Sequence, residues 1–143
     1  MIKESLANDL LRLFFAQKDT SSISILSETC YIGLSTEIPN SDGSNFVEPA
    51  TEDGYQRYLL GVRTAPVSWK MTEPSAGSIY NKETIFFPKC INNAWGEIKY
   101  FGLFANVSGT TTPVFWGELT TPTTVSVNDV AIFSPEQLKV TLA

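Results

Sequence analysis

The sequence predicts a mainly β fold, an antiparallel β-sandwich or a jelly-roll-like barrel, with one N-terminal α-helix. Three observations support this prediction. After Ser22, short runs of Thr, Val, Ile and aromatic residues are interrupted by Gly, Pro, Asn and Asp. The last run of the chain alternates in polarity and places Leu138, Val140 and Leu142 on one face. No helical pattern separates the predicted strands, so a parallel sheet with crossover helices is not expected.

The helix is predicted over residues 4–17. Leu6, Leu10, Leu13 and Phe14 follow the i, i+3, i+4 spacing of one helical face. The polar run at 19–22 then ends the pattern. Because this helix is so apolar, we expect it to pack against another surface. The domain's own sheet is favoured over a partner subunit as that surface.

The strands are predicted from short apolar runs bounded by turn residues. The run at 29–34 is compact and indicates a central strand, and Pro88 is expected to end a strand or to mark a sheet edge. The polar segment 39–52 is predicted to be a loop. The predicted strands, in chain order, are 29–34, 57–63, a short one at 67–69, 78–87, 97–105, 113–119, a short one marked by Val125 and Val127, and 137–142.

The clearest predicted hairpin joins 97–105 to 113–119. The intervening residues 106–112 include Asn and Gly, which accept the positive φ angles of turns. Each strand carries a related motif, Trp-Gly-Glu-Ile from Trp95 and Trp-Gly-Glu-Leu from Trp116. We expect the two motifs to face each other at the open end of the hairpin.

Length and charge narrow the possible functions. The chain has 143 residues, which predicts one domain over 1–143. Its 10 basic and 15 acidic side chains give a net charge of −5, which argues against a nucleic-acid partner. The chain has 0 histidines, so Ser-His-Asp triads and His-ligated metal sites are excluded. We therefore predict no cofactor, no metal and no catalytic residue.

The two cysteines, Cys30 and Cys90, are too few for a zinc site without histidine. The N-terminus lacks the uninterrupted apolar stretch of a signal peptide, so two reduced and largely buried thiols are expected. A single disulfide remains an open alternative. No apolar run approaches the roughly 18 residues that a membrane span needs, so none is predicted.

Three acidic residues, Glu48, Glu52 and Asp53, cluster in the predicted loop. Paired carboxylates serve glycoside hydrolysis, but loop carboxylates this close in sequence are more often solvated charges, which is the interpretation we favour. The run 40–45 is rich in oxygen ligands but lacks the spacing of a calcium loop. A turn is predicted there.

Aromatic residues could form a sugar-stacking platform. In a β protein they more often belong to the core or to a subunit interface, and we expect those roles here. The residues concerned are Trp69, Trp95, Trp116, Tyr55, Tyr58, Tyr80 and Tyr100.

Several motifs occur in a characteristic order over nearly the whole chain. They are YIGLS from Tyr31, a Thr-x-x-Pro ending at Pro39, Glu48-Pro49, GYQR from Gly54, IFFP from Ile85, WGEI from Trp95, FGLF from Phe101 and FWGEL from Phe115. In this order and spacing the sequence resembles a family of small virion proteins of tailed bacteriophages, described as tail-fibre or tail proteins.

The resemblance implies a non-enzymatic structural part of a phage particle, assembled in the host cytoplasm and located in the virion. The implied partners are copies of the chain, with a trimer favoured, and other virion proteins. The candidate assembly surface comprises the helix face and the aromatic hairpin: Leu6, Leu10, Leu13, Phe14, Trp95 and Trp116. Two alternatives stay open, namely a receptor- or glycan-binding module and a depolymerase that acts through paired carboxylates.

Overall fold

The computed structural model describes residues 29–62, 70–72, 75–104, 112–113 and 115–141. The predicted helix at 4–17 and the predicted strand at 67–69 lie outside these residues. Within them the chain is mainly β and every strand pairing is antiparallel, which confirms the predicted fold class. The strands are β1 (Thr29–Ser35), β2 (Tyr58–Val62), β3 (Ser78–Tyr80), β4 (Ile85–Lys89), β5 (Gly96–Phe104), β6 (Phe115–Val125), β7 (Val130–Phe133) and β8 (Lys139–Thr141), with a 3-10 turn at Thr51–Asp53.

Three sheets make up the described structure. The largest has four strands in the order β2-β1-β5-β6, and β3-β8 and β4-β7 form two-stranded sheets. The two small sheets pack on one face of the large sheet as a sandwich. The core between them takes side chains from every strand, among which Ile32, Ile79, Ile85 and Phe133 are at most 2% exposed. No helix in the described part of the chain has the length and apolar character needed to cross a membrane.

The central strand and the hairpin are as predicted. β1 lies between β2 and β5, and β5 pairs with β6. However, the prediction that the two Trp-Gly-Glu motifs face each other is wrong. β6 continues to Val125, so Gly96 pairs with Val125 at the open end, whereas Trp116 pairs with Gly102 toward the closed end.

The predicted strand 78–87 is two strands. β3 pairs with β8 and β4 pairs with β7, so the chain changes partners between Tyr80 and Ile85. The break occurs at Asn81, whose side chain is fully buried and bonds to the turn that joins β7 to β8. Pro88 lies inside β4, at an irregularity in the pairing with β7.

The prediction of a separate strand at Val125 and Val127 is also wrong. Val125 is the last residue of β6, and Val127 lies in a turn. In this turn the Asp129 N–H donates to the Ser126 carbonyl over 2.9 Å, and the Asp129 carboxylate accepts from the Ser126 N–H over 2.9 Å. The side-chain oxygen of Asp129 therefore closes the turn and ends the alternation.

Candidate functional site

Two glycines from the ordered motifs are direct neighbours across the sheet. Gly33 of β1 pairs with Gly102 of β5, on the face opposite the small sheets. A Cβ on Gly33 would lie 2.7 Å from the Glu48 Oε1 atom, and one on Gly102 would lie 2.8 Å from the Phe46 ring. The pair therefore leaves a floor without side chains, on which the segment 36–57 packs.

Glu48 and Arg57 form a buried ion pair on this floor. The Arg57 Nε donates to Glu48 Oε1 over 2.8 Å and Nη2 donates to Oε2 over 2.7 Å. The two side chains are 5% (Arg57) and 19% (Glu48) exposed. The guanidinium carbon also lies 3.5 Å from the centre of the Phe104 ring. Two parallel hydrogen bonds and a stacked ring hold the guanidinium in one orientation.

Tyr55 connects the ion pair to the sheet. Its hydroxyl donates to Glu48 Oε1 over 2.6 Å and accepts from the Leu34 N–H over 2.9 Å. Burial raises the pKa of Tyr55, and the negative charge of Glu48 raises it further. The hydroxyl therefore keeps its proton, and both Glu48 oxygens are occupied by donors. This saturated arrangement suits a structural anchor for the loop better than proton transfer.

The interpretation of the loop carboxylates as solvated is wrong for Asp53 and largely wrong for Glu48. Asp53 is 9% exposed, and its carboxylate accepts from the Asn93 backbone N–H over 3.2 Å and side-chain amide over 3.0 Å. Its carbonyl accepts from the Trp95 indole N–H over 2.9 Å. Only Glu52 is exposed. Sequence spacing gave no sign of this, because the donors to Asp53 lie about 40 residues away in the chain.

The run 40–45 is a turn, as predicted. The Asn40 N–H donates to the Ser44 carbonyl over 2.8 Å. The Asp42 carboxylate accepts from the Ser44 N–H over 2.9 Å and from its hydroxyl over 2.6 Å. These hydrogen bonds lower the pKa of Asp42.

The predicted aromatic residues separate into two groups. Tyr55 and Trp95 are buried in the core, each 5% exposed, and their rings pack edge to face with centres 5.4 Å apart. The half-buried ones in the described residues are Tyr58, Tyr80, Tyr100 and Trp116. Trp69, like Leu6, Leu10, Leu13 and Phe14, lies outside the described residues. Of the candidate assembly surface, the structure describes only Trp95 and Trp116. Trp95 is buried, so Trp116 is the one of these two whose side chain is exposed enough to contact a partner.

Both cysteines are free thiols. Cys90 is fully buried and its Sγ lies 3.1 Å from the Asn93 carbonyl, whereas Cys30 packs against the core. Burial raises the pKa of Cys30 to about 12. A thiol with so high a pKa is a poor nucleophile at neutral pH.

An exposed apolar surface lies on the outer side of the β4-β7 sheet. Phe86 and Ile132 are cross-strand partners and are 57% and 48% exposed, and Val130 of β7 is 40% exposed. Ala131 and Phe133 alternate with them and are buried in the core. We call Phe86, Val130 and Ile132 the outer face. Sequence reasoning missed it, because a strand with apolar residues on both faces does not show which face is covered.

A groove of about 550 Å³ lies beside the outer face, where β2 meets β4. Its apolar surface comes mainly from aromatic side chains and from Leu59, which is 46% exposed. The described residues that line it are Tyr31, Gln56, Arg57, Tyr58, Leu59, Phe86, Phe87 and Pro88.

Over residues 2–141 the chain matches the family model described as podophage GP4 fiber I protein gp80. No curated protein matches the chain. The match covers the ordered motifs, which in the structure supply the glycine floor, the Glu48–Arg57–Tyr55 cluster and the core of the sandwich. The chain therefore belongs to the family of the podophage GP4 fiber I protein gp80, and it is a phage tail-fibre type protein.

Proposed function

We propose that this chain is a non-enzymatic structural subunit of the phage fibre and that it acts through protein–protein assembly in the virion. Its partners are copies of itself in a cyclic oligomer, with a trimer favoured, and other virion proteins. Assembly takes place in the host cytoplasm. Membership of the family supports a role as a component of the virion. The exposed outer face is the observation that supports assembly through protein–protein contacts.

The outer face is suited to assembly because its side chains are apolar and remain exposed to solvent. Five of the eight large exposed apolar residues of the described chain belong to β4, β7 or the turns beside them: Phe86, Ile91, Val127, Val130 and Ile132. Contiguous apolar surface of this kind marks contact sites in soluble proteins. Completing the burial of a half-exposed Phe or Ile contributes roughly 1 kcal/mol.

The chemistry of the acidic residues supports a non-enzymatic role. The carboxylate of Glu48 accepts hydrogen bonds from Arg57 and Tyr55. The carboxylate of Asp53 accepts hydrogen bonds from Asn93. A glycosidase needs two carboxyl groups on opposite sides of an open cleft. The receptor- or glycan-binding alternative would depend on the half-buried aromatic residues, since Tyr55 and Trp95 are in the core.

Light scattering on the full chain tests the assembly proposal. The unmodified chain should give an oligomer mass. The double variant Val130→Ser, Ile132→Ser should raise the dissociation constant at least about tenfold, because two apolar contacts are lost. Ile38→Ser is the matched control, since Ile38 is 62% exposed on the loop and lies outside the outer face.

Incorporation of the same variants into phage particles completes the test. The double variant should be depleted from particles, whereas the Ile38→Ser variant should be present at the normal level. A monomeric unmodified chain that is also absent from particles would overturn the proposal. Equal incorporation of both variants would show that the outer face is not the contact surface.

A further inference from the structure

A pocket of about 260 Å³ continues the outer face at its Ile132 end. Ile132 belongs to the outer face and also lines this pocket. The pocket lies between the irregular part of β6 and the turn that joins β7 to β8. If copies of the chain assemble through the outer face, the pocket therefore lies at the rim of their contact.

The pocket combines apolar walls with a single charge. Leu119, Ile132 and Phe133 supply apolar surface, and β6 adds the hydroxyl groups of three threonines. Among the described residues that line the pocket, only Glu136 is charged. The pocket therefore suits a long aliphatic side chain that ends in a cation, because the stem meets apolar walls and the cation meets oxygen acceptors.

Glu136 offers its carboxylate at this pocket. The residue is exposed, and its carboxylate has no hydrogen-bond or ion-pair partner within the described part of the chain. The Glu136 N–H donates to the Asn81 carbonyl over 2.9 Å, and φ is 72°, in the left-handed region that favours glycine. A glycine would fit this backbone with less strain, so the carboxylate is what glutamate adds at this position.

The opposite end of the outer face carries a cation. Lys89 is the cross-strand partner of Val130 and is exposed. No described carboxylate forms an ion pair with it. Val130 and Phe133 lie roughly 10 Å apart along β7, so Lys89 and the pocket are at opposite ends of the strand. Two copies with their outer faces in contact can therefore bring Lys89 of one copy to the pocket of the other.

We propose that Lys89 of one copy enters the pocket of the neighbouring copy and pairs there with Glu136. This inference rests on the proposed assembly through the outer face and adds the contact that aligns the copies. The apolar side chains supply most of the affinity, whereas the charge pair at the rim fixes the register. Because the ammonium group is partly buried in the pocket, salt screens this pair less than an exposed one.

Charge reversal tests the pair through the dissociation constant measured by sedimentation. Lys89→Glu and Glu136→Lys should each raise this constant at least about tenfold, because like charges then face each other. The double variant with both changes should return it to within about threefold of the unmodified value, since the pair is restored with opposite polarity.

Lys99 provides the control for net charge. It lies on β5 in the large sheet, and its side chain is 46% exposed. Lys99→Glu changes the net charge as Lys89→Glu does and should change the dissociation constant less than about threefold. The double variant Lys99→Glu, Glu136→Lys has the net charge of the Lys89–Glu136 swap and should remain weak.

Glu136→Gly separates a role in assembly from a role in folding. Glycine adopts the positive φ without strain, so the urea midpoint of the dilute chain should stay the same or rise. The dissociation constant should nevertheless increase by about threefold, as for the loss of one ion pair. A Glu136→Gly variant that associates as tightly as the unmodified chain would contradict the proposal.

Carbodiimide crosslinking shows the contact directly, because this reagent joins an amine to a carboxylate without a spacer. In a mixture of isotopically heavy and light chains, the peptides that contain Lys89 and Glu136 should be joined with mixed labels. Crosslinked peptides of like label only would place the contact within one chain and would overturn the proposal.

The outcomes separate this inference from the proposed function. If Val130→Ser, Ile132→Ser weakens association but the Lys89–Glu136 swap is no tighter than the single reversals, the pair is wrong and the assembly through the outer face is retained. If Val130→Ser, Ile132→Ser associates normally, both fail. An unmodified chain that stays monomeric would overturn the inference, and incorporation into particles then decides the proposed function.

Discussion

Arg57 is the residue on which the packing of the 36–57 segment most depends. Its guanidinium bonds to both oxygens of Glu48 and stacks on Phe104. Removal of one member of a buried pair leaves the other charge without its partner in a medium that solvates it poorly. The cost of such a loss is therefore larger than the net contribution of the intact pair.

Arg57→Ala should lower the free energy of unfolding by about 3–5 kcal/mol. Urea denaturation measures the change. Arg57→Lys should give an intermediate loss, because an ammonium group cannot make the two parallel hydrogen bonds.

The matched control is Lys70→Ala. It breaks the exposed Lys70–Glu83 pair, whose atoms lie 2.9 Å apart with side chains 33% and 53% exposed. Exposed pairs contribute about 0–1 kcal/mol, so the control should unfold almost normally. Equal losses for Arg57→Ala and Lys70→Ala would show that the buried cluster does not anchor the loop.

At the scale of the elements, the side chain of Asn81 separates the β3-β8 pair from the β4-β7 pair. The Asn81 Oδ1 accepts from the Leu138 N–H over 2.9 Å, and Nδ2 donates to the carbonyls of Ser134 over 2.9 Å and Glu83 over 3.0 Å. These bonds join the 81–84 connection to the turn between β7 and β8. They explain why β3 and β4 are separate strands although their sequence reads as one run.

Asn81→Leu should destabilise the protein by about 3 kcal/mol, because it keeps the branched shape of the side chain but leaves several buried backbone groups unpaired. Amide exchange should show the largest loss of protection at Leu138 and in β8. Gln137→Leu is the control in the same turn, since it removes one exposed hydrogen bond, from the Ser134 N–H at 2.7 Å. A smaller loss for Asn81→Leu than for Gln137→Leu would contradict this role.

At the scale of the whole molecule, the sandwich has two unlike outer sides. The 36–57 segment covers one side of the large sheet, on the glycine floor, whereas the β4-β7 sheet leaves apolar residues uncovered. The net charge of −5 opposes close approach of copies. Association through the outer face must therefore overcome this repulsion.

Salt should strengthen association or leave it unchanged. Raising the ionic strength from about 0.01 M to about 1 M shortens the Debye length from about 30 Å to about 3 Å, which screens the repulsion between acidic copies. Sulfate, which strengthens apolar burial, should raise the oligomer fraction more than chloride. Sedimentation across the salt series measures both effects. Dissociation at high salt would indicate that ion pairs hold the copies together instead.

Local patterns in the sequence were sufficient for the strand class, the central strand, the β5-β6 hairpin and the turn at 40–45. Each depends on a short apolar run or on turn chemistry within a few residues of the chain. The extension of β6 to Val125 could not be predicted, because its partner Gly96 lies across a hairpin and the intervening Thr-rich run has no strong polarity pattern.

The sequence by itself determined a mainly β chain with two cysteines and no histidine, and with the ordered motifs of a phage fibre family. Only the tertiary structure decided that Gly33 lies beside Gly102, that Glu48 is buried with Arg57, and that Phe86 and Ile132 face outward. The physical reason is that alternation along a strand shows only which residues share a face. Which face is covered, and by what, depends on contacts between residues far apart in the chain.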